Sequence, residues 1–235
     1  MNTSVARIGF AILAFAVAIF AFAGRFQGSA LAAAPSSVPV AAVDNPLASA
    51  PGQETAVFAG GCFWGIQAVF QHVKGVKSAV SGYAGGHAQS PSYEEVSSGT
   101  TGHAEVVRVV FDPSKVSYGQ LLRVFFAVAH DPTQLNRQGP DVGTQYRSEI
   151  FHTSAAQKRI AAAYIDQLSK AKVFSRPIVT RVSQLGSFTT AESYHQNYAN
   201  DHPNDPYIRF NDAPKVVALK SELAAFYKDE LSAWK

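Results

Sequence analysis

Apolar positions between residues 53 and 153 alternate between strand-like runs and helical spacings. Strands are predicted at residues 54–59, 76–83, 104–111 and 147–153, because β-branched and aromatic residues are concentrated there. A helix is predicted over residues 62–73, where the apolar side chains share one face. A second helix is predicted over residues 117–130, and its start, Ser117-Tyr118-Gly119-Gln120, has the form of a capping box.

The rest of the chain continues the alternation. The predicted elements are a long helix over 154–172, a strand over 178–185, a shorter helix over 191–200, irregular chain over 201–214 and an amphipathic helix over 215–231. Residues 84–102, with one helical turn near 93–96, and residues 131–145 are predicted loops, and loops of this length are usually functional. This order predicts an α/β or α+β sandwich with helices packed on a mixed sheet.

The first 34 residues have the pattern of an export signal. Arg7 precedes an uninterrupted run of apolar and small residues, 8–24, and small residues at 30–34 offer cleavage sites. The run is slightly long for a signal peptide and slightly short for a membrane span. Residues 1–34 are therefore predicted to be a cleaved signal peptide or, alternatively, an uncleaved membrane anchor. Both predict an exported protein of the periplasm or cell envelope, with a membrane contact only if the segment is uncleaved.

The remaining sequence divides into a tether and a domain. Residues 35–52 are rich in Ala, Pro, Ser and Val with a single charge, Asp44, and this composition predicts a tether without a core. Residues 53–235 are long enough for a substantial core and are predicted to form a single domain.

Composition and charge exclude several classes of function. Hydrophobic residues make up 47% of the chain and charged residues 16%, and the formal net charge is +3. The basic residues form no stripe, so no nucleic-acid partner is predicted. The single cysteine excludes an internal disulfide and a Cys-rich zinc site. Because the seven histidines also lack paired ligand spacing, no metal is predicted.

The one cysteine, Cys62, follows two glycines at the predicted junction of a strand and a helix. Unpaired backbone N–H groups and the positive end of the helix dipole converge at such a junction and stabilise a thiolate. This placement predicts a nucleophilic or redox-active cysteine. The alternative is a buried structural cysteine, which is where most unpaired cysteines lie.

Two polar residues open the predicted strand 104–111 and could assist this thiol. His103 and Glu105 are two residues apart and therefore point to the same side of an extended chain. The alternatives are a structural histidine with a hydrogen-bond partner and a glutamate charged at the rim of the sheet.

A third group of candidates lies in the predicted loops. Tyr83, Tyr93 and Tyr146 stand beside glycine, proline or polar residues. A phenol there could donate a hydrogen bond to a bound oxygen or simply pack. Asp141 lies between Gly139-Pro140 and Gly143 and could bind a substrate amide or form a turn.

Taken together, these positions resemble the family of A-type peptide methionine sulfoxide reductases. The resemblance covers residues 56–228, nearly the whole predicted domain. It rests on long blocks in the same order: Gly61-Cys62-Phe63-Trp64-Gly65, Ser81-Gly82-Tyr83-Ala84-Gly85-Gly86, Pro91-Ser92-Tyr93-Glu94-Glu95-Val96, Thr101-Gly102-His103-Ala104-Glu105-Val106, His130-Asp131-Pro132-Thr133-Gln134, Gly143-Thr144-Gln145-Tyr146-Arg147-Ser148 and Tyr194-His195-Gln196.

The resemblance implies a fold and a reaction. The fold is an α/β (α+β) roll with a mixed β-sheet core, packed helices and ferredoxin-like split βαβ elements. The reaction is thiol-dependent reduction of the S epimer of methionine sulfoxide, free or in proteins, which repairs oxidised proteins. In that reaction Cys62 attacks the sulfoxide sulfur and becomes a sulfenic acid. Glu105 hydrogen-bonds the sulfoxide oxygen and donates a proton, which requires a carboxylic acid that stays protonated near pH 7.

The resemblance also implies the roles of the other site residues. Tyr93 and Tyr146 match two phenols that assist at the sulfoxide oxygen and complete the catalytic set. The substrate-binding positions are Phe63 and Trp64, which match the aromatic pair that holds the S-methyl group, together with Asp141, which matches an aspartate that positions the substrate backbone, and His103, which matches a supporting residue near the acid.

One departure from the family pattern concerns regeneration. Many relatives carry a second, resolving cysteine, whereas this chain has Ser97 in the loop and Ile208 after Tyr207 in the tail. We therefore expect an external thiol, a thioredoxin-like reductase in the cell or dithiothreitol in vitro, to reduce Cys62 directly. No bound cofactor is expected. The expected partners are proteins or peptides that contain methionine sulfoxide, and the thiol reductase.

Two other functions remain as alternatives. The first is a cysteine hydrolase in which His103 or His195 serves as the base for Cys62. The second is a non-enzymatic module of the cell envelope in which the motif around Cys62 only packs.

Overall fold

The computed structural model describes residues 38–89 and 91–234. The predicted signal or anchor segment, residues 1–34, lies outside the described residues. Within the described ranges, no helix has both the length and the apolar character needed to cross a bilayer.

A six-stranded sheet and a separate two-stranded hairpin contain all the strands of the described residues. In chain order the strands are β1 Glu54–Gly60, β2 Val76–Ala84, β3 Ala104–Phe111, β4 Arg137–Gln138, β5 Asp141–Val142, β6 Ser148–His152, β7 Arg181–Gln184 and β8 Phe188–Thr190. The large sheet has the order β7-β6-β1-β3-β2-β8, and β4 pairs with β5.

The sheet is mixed. β1 and β2 each pair antiparallel with β3 and therefore run parallel to each other with β3 between them. β6 pairs antiparallel with β1 and parallel with β7. The helix that joins β1 to β2 completes a split βαβ unit, so the predicted α/β fold with a mixed sheet is confirmed.

Helices cover the sheet and fill the connections between strands. They are α1 Phe63–Gln71, α2 Tyr93–Ser97, α3 Tyr118–Val124, α4 Ala155–Lys170, α5 Tyr198–Asp201 and α6 Ala213–Glu222. A π-helical turn, Phe125–Ala129, continues α3, and another, Ile208–Asp212, leads into α6. The capping box at Ser117 is present, since the Ser117 side chain accepts from the Gln120 backbone. A second capping box starts α2 at Ser92.

Stacked aromatic rings hold the β1–α1 unit against α3. The Phe58 ring lies 5.0 Å from that of Phe70 and 4.9 Å from that of Phe125, and all three side chains are fully buried. Burial of such a side chain contributes about 2–3 kcal/mol, and offset stacking adds to this. The loop between β1 and α1, which contains Cys62, is therefore fixed at both ends by a rigid core.

Two predicted helices are wrong in their extent. Residues 191–200 do not form one helix, because Asn197 adopts a left-handed conformation with φ 58° between the 3₁₀ turn Ser193–His195 and α5. Residues 215–231 are helical only to Glu222, and the following chain bonds instead to the end of α1 through Lys74 N to Phe226 O and Lys228 N to His72 O. In both regions, tertiary hydrogen bonds outweigh the local preference for helix.

Three other predicted boundaries also shift. The strand predicted over 178–185 is narrower, Arg181–Gln184, and β8 follows it unpredicted. The segment predicted as irregular, 201–214, contains the π-helical turn before α6. The predicted loop 131–145 contains the β4–β5 hairpin.

The described part of the predicted tether packs against the domain. Val38 is 1% exposed, and its carbonyl accepts from Arg123 Nε at 2.8 Å. Asp44 accepts from Ser117 Oγ and from Gly119 N, so it caps the start of α3. The composition of the segment predicts a chain without a core of its own, but these contacts use the core and the helix ends of the domain. Residues 38–52 are therefore docked rather than extended into solvent.

Candidate active site

Cys62 is the N-cap residue of α1, at the end of the central strand β1. The preceding Gly61 has φ +97°, and a Cβ at that position would lie 2.5 Å from the Gln138 side chain. Only glycine allows both this conformation and this close approach. Gln138 of the 131–145 segment therefore packs against the residue before the cysteine, and Cys62 itself is 8% exposed.

Burial decides the protonation of the Cys62 thiol. Removal from water raises its pKa well above the ordinary value, and the nearby charges of Glu105 and Asp212 raise it further. A hydrogen bond from the Trp64 backbone and the charge of Lys215 lower the pKa by less. The expected stabilisation of the thiolate by the helix N-terminus is present, but it does not decide the charge of the resting thiol. The N-terminal donor is present, but desolvation outweighs it.

Glu105 supplies a neutral acid beside the cysteine. It lies on β3 opposite Tyr83, is 2% exposed, and its Oε2 accepts from the backbone N–H of Phe63 at 3.0 Å. Burial raises the pKa of Glu105 to about 8, although the Phe63 hydrogen bond opposes the shift. A rim charge is excluded, because the carboxyl is buried and mostly protonated at pH 7.

Two predicted phenols converge on this acid. Tyr93 is the first residue of α2, and Tyr146 ends the 3₁₀ turn Thr144–Tyr146. Burial raises the pKa of both phenols, and in both the charges of Glu105 and Cys62 add to the shift. Both therefore remain hydrogen-bond donors at neutral pH. The third candidate, Tyr83, is buried and donates to Glu192 at 2.8 Å, so its hydroxyl is already used.

An aromatic wall surrounds the cysteine on the side of α1. The Trp64 indole stacks on Tyr198 at 3.8 Å with a 14° interplanar angle and meets Tyr207 edge-on at 5.9 Å. Its Nε1 donates to His195 Nδ1 at 3.2 Å. Phe63 packs against the His195 ring at 5.0 Å. These contacts fix both rings in place.

Asp141 lies at the start of β5, where its Oδ2 accepts from the Tyr207 hydroxyl. Burial raises its pKa, and the Tyr207 hydrogen bond and the charge of Lys215 lower it. The Asp141 charge in turn affects the pKa of Glu105 and of both Tyr93 and Tyr146. The structure thus brings Asp141 into the same cluster.

His103 is buried against Gly86. It is 2% exposed and packs so closely on Gly86 that a Cβ there would lie 2.1 Å from its Nδ1. Burial lowers the pKa of His103, and the charges of His87 and Arg147 lower it further, so the ring is mostly neutral at pH 7. The charged groups that shift the Cys62 pKa are Glu105, Asp212 and Lys215, with no histidine among them.

Several residues of the site were not found from the sequence. They come from the region of the 3₁₀ turn near residue 193, from α5, from the chain before α6 and from the first turn of α6, and they are Glu192, Tyr198, Tyr207, Asp212 and Lys215. Glu192 accepts from Tyr93 N at 2.9 Å as well as from Tyr83, so it holds the start of α2. No local pattern marks these residues, since each lies far beyond the cysteine along the chain.

Comparisons with known proteins point to one family. A family model described as peptide methionine sulfoxide reductase matches residues 54–226. A Mesorhizobium japonicum protein named peptide methionine sulfoxide reductase MsrA 2 is 59% identical over 77% of this chain and 93% of its own length. A Synechocystis protein of the same name is 48% identical over 83% of this chain and 91% of its own.

Solved structures of similar proteins share the fold. Reduced Mxr1 from Saccharomyces cerevisiae matches with a TM-score of 0.61 and 30% identity, covering 72% of this chain and 96% of that protein. Methionine sulfoxide reductase A of Corynebacterium diphtheriae matches with a TM-score of 0.57 and 38% identity, covering 66% of this chain and 77% of that protein.

Proposed function

The chain belongs to the peptide methionine sulfoxide reductase A family of oxidoreductases, and we propose that it reduces methionine S-sulfoxide through attack of Cys62 on the sulfoxide sulfur. The family reduces methionine sulfoxide and repairs oxidised proteins. The observation that carries the finer proposal is the buried pair formed by the Cys62 thiol and the Glu105 acid. The two are linked through the Phe63 N–H, which belongs to the residue after the cysteine.

Proton transfer to the sulfoxide oxygen is the role of Glu105. Oε2 already accepts from Phe63 at 3.0 Å, which leaves Oε1 to carry the proton. A carboxyl with a pKa of about 8 is mostly protonated at neutral pH and is therefore a suitable general acid. The Tyr93 and Tyr146 phenols donate hydrogen bonds to the same oxygen and stabilise the charge that develops there.

The redox step is balanced within the site. A bond forms between Cys62 Sγ and the substrate sulfur as the oxygen takes the Glu105 proton, and the thiol proton passes to the Glu105 carboxylate. In the resulting adduct the hydroxyl passes from the substrate sulfur to Cys62 Sγ as the S–O bond and the new S–S bond break, which leaves methionine and a Cys62 sulfenic acid. The substrate sulfur gains the two electrons that the Cys62 sulfur loses.

Substrate binding is the role of the aromatic wall and Asp141. Phe63 and Trp64 offer an apolar pocket for the S-methyl group, and the rings are held by stacking on Tyr198 and His195. A preformed apolar pocket of this kind binds a methyl group without paying to order its own side chains. Asp141 accepts a hydrogen bond from the substrate backbone, and His103 supports the loop behind the acid.

Regeneration requires an external thiol, because Cys62 is the only cysteine in the sequence. A first thiol attacks the sulfenic acid, forms a mixed disulfide with Cys62 and releases water. A second thiol then releases Cys62 as a thiol and leaves as the external disulfide. We propose an exported thiol reductase as the donor in the cell envelope, with no bound cofactor.

The direct test uses purified residues 35–235 and a peptide with methionine sulfoxide in separate S and R epimers. Dithiothreitol should support reduction of the S epimer alone, and Cys62→Ser should abolish it. Ester or amide cleavage without sulfoxide loss would favour the hydrolase. Absence of both activities, with poor labelling of Cys62 by an alkylating agent, would favour the packing module.

Mass spectrometry after one turnover tests the fate of Cys62. Without reductant, the monomeric protein should carry a persistent sulfenic acid, trapped as its dimedone adduct. Full recovery of the thiol without any added reductant would contradict the requirement for an external thiol.

A further inference from the structure

A buried ion pair lies against the first turn of α1. Lys215 Nζ and Asp212 Oδ1 are 3.0 Å apart, and the two side chains are 6% and 0% exposed. A Cβ at Gly65 would lie 2.1 Å from Asp212 Oδ1 and 2.8 Å from Lys215 Nζ. Gly65 is inside the helix, so its backbone conformation does not require glycine. Glycine is required at this position because the ion pair approaches so closely.

The pair and the Cys62 side chain share one face of this turn. Cys62 is the N-cap residue and Gly65 is the third residue of the helix. Side chains at these two positions are neighbours, as the capping-box geometry shows. The volume that a side chain at Gly65 would fill beside Cys62 is therefore occupied by Asp212 and Lys215. The electrostatics agree, because the Asp212 charge raises the pKa of Cys62 and the Lys215 charge lowers it.

The pair is not a fully satisfied structural bridge. Asp212 Oδ2 is buried and has no hydrogen-bond partner among the described residues. Buried polar atoms of stabilising networks are normally paired, and a buried ion pair is often no more stable than apolar residues of the same volume. Stability therefore does not explain why an unpaired carboxylate oxygen of Asp212 is buried beside the Cys62 thiol.

We propose that Lys215 is a positioning residue that stabilises the Cys62 thiolate, and that Asp212 limits this effect so that the cysteine rests as a thiol. This role rests on the proposed function, in which the sulfur of Cys62 acts as nucleophile and later as leaving group. In both steps negative charge develops on Sγ, and a fixed ammonium nearby stabilises it without reorganisation.

Other groups also face Cys62 and are unchanged in the variants below. Glu105 faces it from β3, and its charge appears above a pKa of about 8. Four phenols, each with a pKa raised in part by the Cys62 charge, complete the surroundings: Tyr93, Tyr146, Tyr198 and Tyr207. Because the Asp212 charge also acts on Glu105 and Tyr207, the Lys215 effect is measured by comparing Asp212→Asn with and without Lys215→Met.

The test is the pH profile of Cys62 alkylation by iodoacetamide in the full chain, a reaction that forms an S–C bond and releases iodide. Asp212→Asn should lower the apparent pKa of Cys62 by about one unit. At pH 7 the alkylation rate should then rise about threefold, because a tenfold gain in thiolate is partly offset by lower nucleophilicity. Adding Lys215→Met to Asp212→Asn should reverse the shift, whereas adding Lys215→Arg should keep it.

An exposed pair formed by Lys220 of the same helix and Asp229 of the chain after it provides matched controls. Lys220 and Asp229 are 3.2 Å apart with side chains 62% and 78% exposed. Asp229→Asn and Lys220→Met change the same charges and should leave the profile unchanged. Urea midpoints check folding, and Asp212→Ser removes the same charge with a smaller side chain if Asp212→Asn is unfolded.

The proposal is overturned if the Asp212 variant shows an unchanged or higher pKa, or if the Lys215→Met double variant keeps the low pKa. If the pair were purely structural, the single and the double variant would shift the Cys62 pKa in the same direction, because both would loosen the packing. Alkylation does not depend on sulfoxide reduction. A protein with the expected profile but no reductase activity would refute the proposed function and leave the ion-pair effect intact.

Discussion

Replacing Glu105 with Gln is expected to slow sulfoxide reduction and to stabilise the fold at neutral pH. With a pKa of about 8, about 90% of the Glu105 side chains are protonated at pH 7, against about 0.3% for a carboxyl at 4.5. Gln keeps the shape and can accept from Phe63 N–H, but it has no acidic proton. Loss of a general acid costs about 10²–10⁴-fold, so single-turnover reduction should slow by on the order of 100-fold or more.

Glu105→Gln is expected to lower the rate of reduction but to raise the free energy of unfolding. The folded-state pKa of Glu105 lies above the ordinary value, so between about pH 4.5 and 8 the folded state binds more protons than the unfolded state. Wild-type stability from this group is therefore fully present below pH 4.5 and is lost as the pH rises through 8. The total is about 5 kcal/mol at 1.36 kcal/mol per unit, as an upper bound. Glu105→Gln removes this dependence, although its buried amide N–H groups reduce the gain.

Urea unfolding at pH 5, 7 and 8.5 measures the effect, and single-turnover kinetics with the S-sulfoxide peptide measures the rate. The stability gap between variant and wild type should widen by about 2–4 kcal/mol from pH 5 to 8.5. Exposed Glu54→Gln is the matched control and should show no such widening. A difference in stability between variant and wild type that does not change with pH would refute the buried neutral acid. Reduction by the variant at the wild-type rate would place the proton donor elsewhere.

Three further outcomes are expected. Trp64→Phe loses the Nε1 donor to His195 and part of the stacking on Tyr198; steady-state kinetics should show a severalfold higher KM and little change in kcat, because the wall binds ground and transition states alike. Tyr146→Phe should slow single-turnover reduction about 10–100-fold with little effect on peptide affinity, since its phenol acts on the developing oxygen charge; an unchanged rate would remove it from the catalytic set. Asp44→Ala removes the acceptor of the Gly119 N–H and the Ser117 hydroxyl at the start of α3, and it should lower the free energy of unfolding in urea by about 1–2 kcal/mol without loss of activity; an unchanged midpoint would mean that residues 38–52 are held by other contacts.

The local parts of the fold could be predicted from the sequence. The strand and helix around Cys62 follow from short-range periodicity, and the Ser117 capping box is visible in four residues. The strands β1 and β3 have apolar side chains at successive positions, because they lie in the middle of the sheet. The position of the cysteine between a central strand and a helix was therefore predictable from the amino-acid sequence alone.

The charge state of the site was not predictable from the same signals. A glutamate at the start of a strand is charged or neutral according to what packs on it. Glu105 is neutral because the folded chain, including the start of α1 at Phe63, buries its carboxyl away from water. The bond from Tyr207 to Asp141 joins residues 66 apart in the chain, and no local pattern indicates it. The docking of residues 38–52 was missed for a similar reason. Their partners, Arg123 and the N-cap residue Ser117, belong to α3, which lies far along the chain.

Burial acts in opposite senses on the two groups that the reaction needs. It raises the pKa of Glu105 and so keeps a proton ready for the sulfoxide oxygen, but it also raises the pKa of Cys62 and keeps the nucleophile protonated. A wetter site would ionise the thiol more readily and lose the acid at the same time. The conflict is resolved only if charge on the sulfur is stabilised without admitting water. Within the described residues, a buried ammonium against the first turn of α1 is a group that can do so, because its charge acts on Cys62 while the site stays dry. In the proposed arrangement, the carboxylate paired with that ammonium limits the effect, so that Cys62 rests as the less easily oxidised thiol.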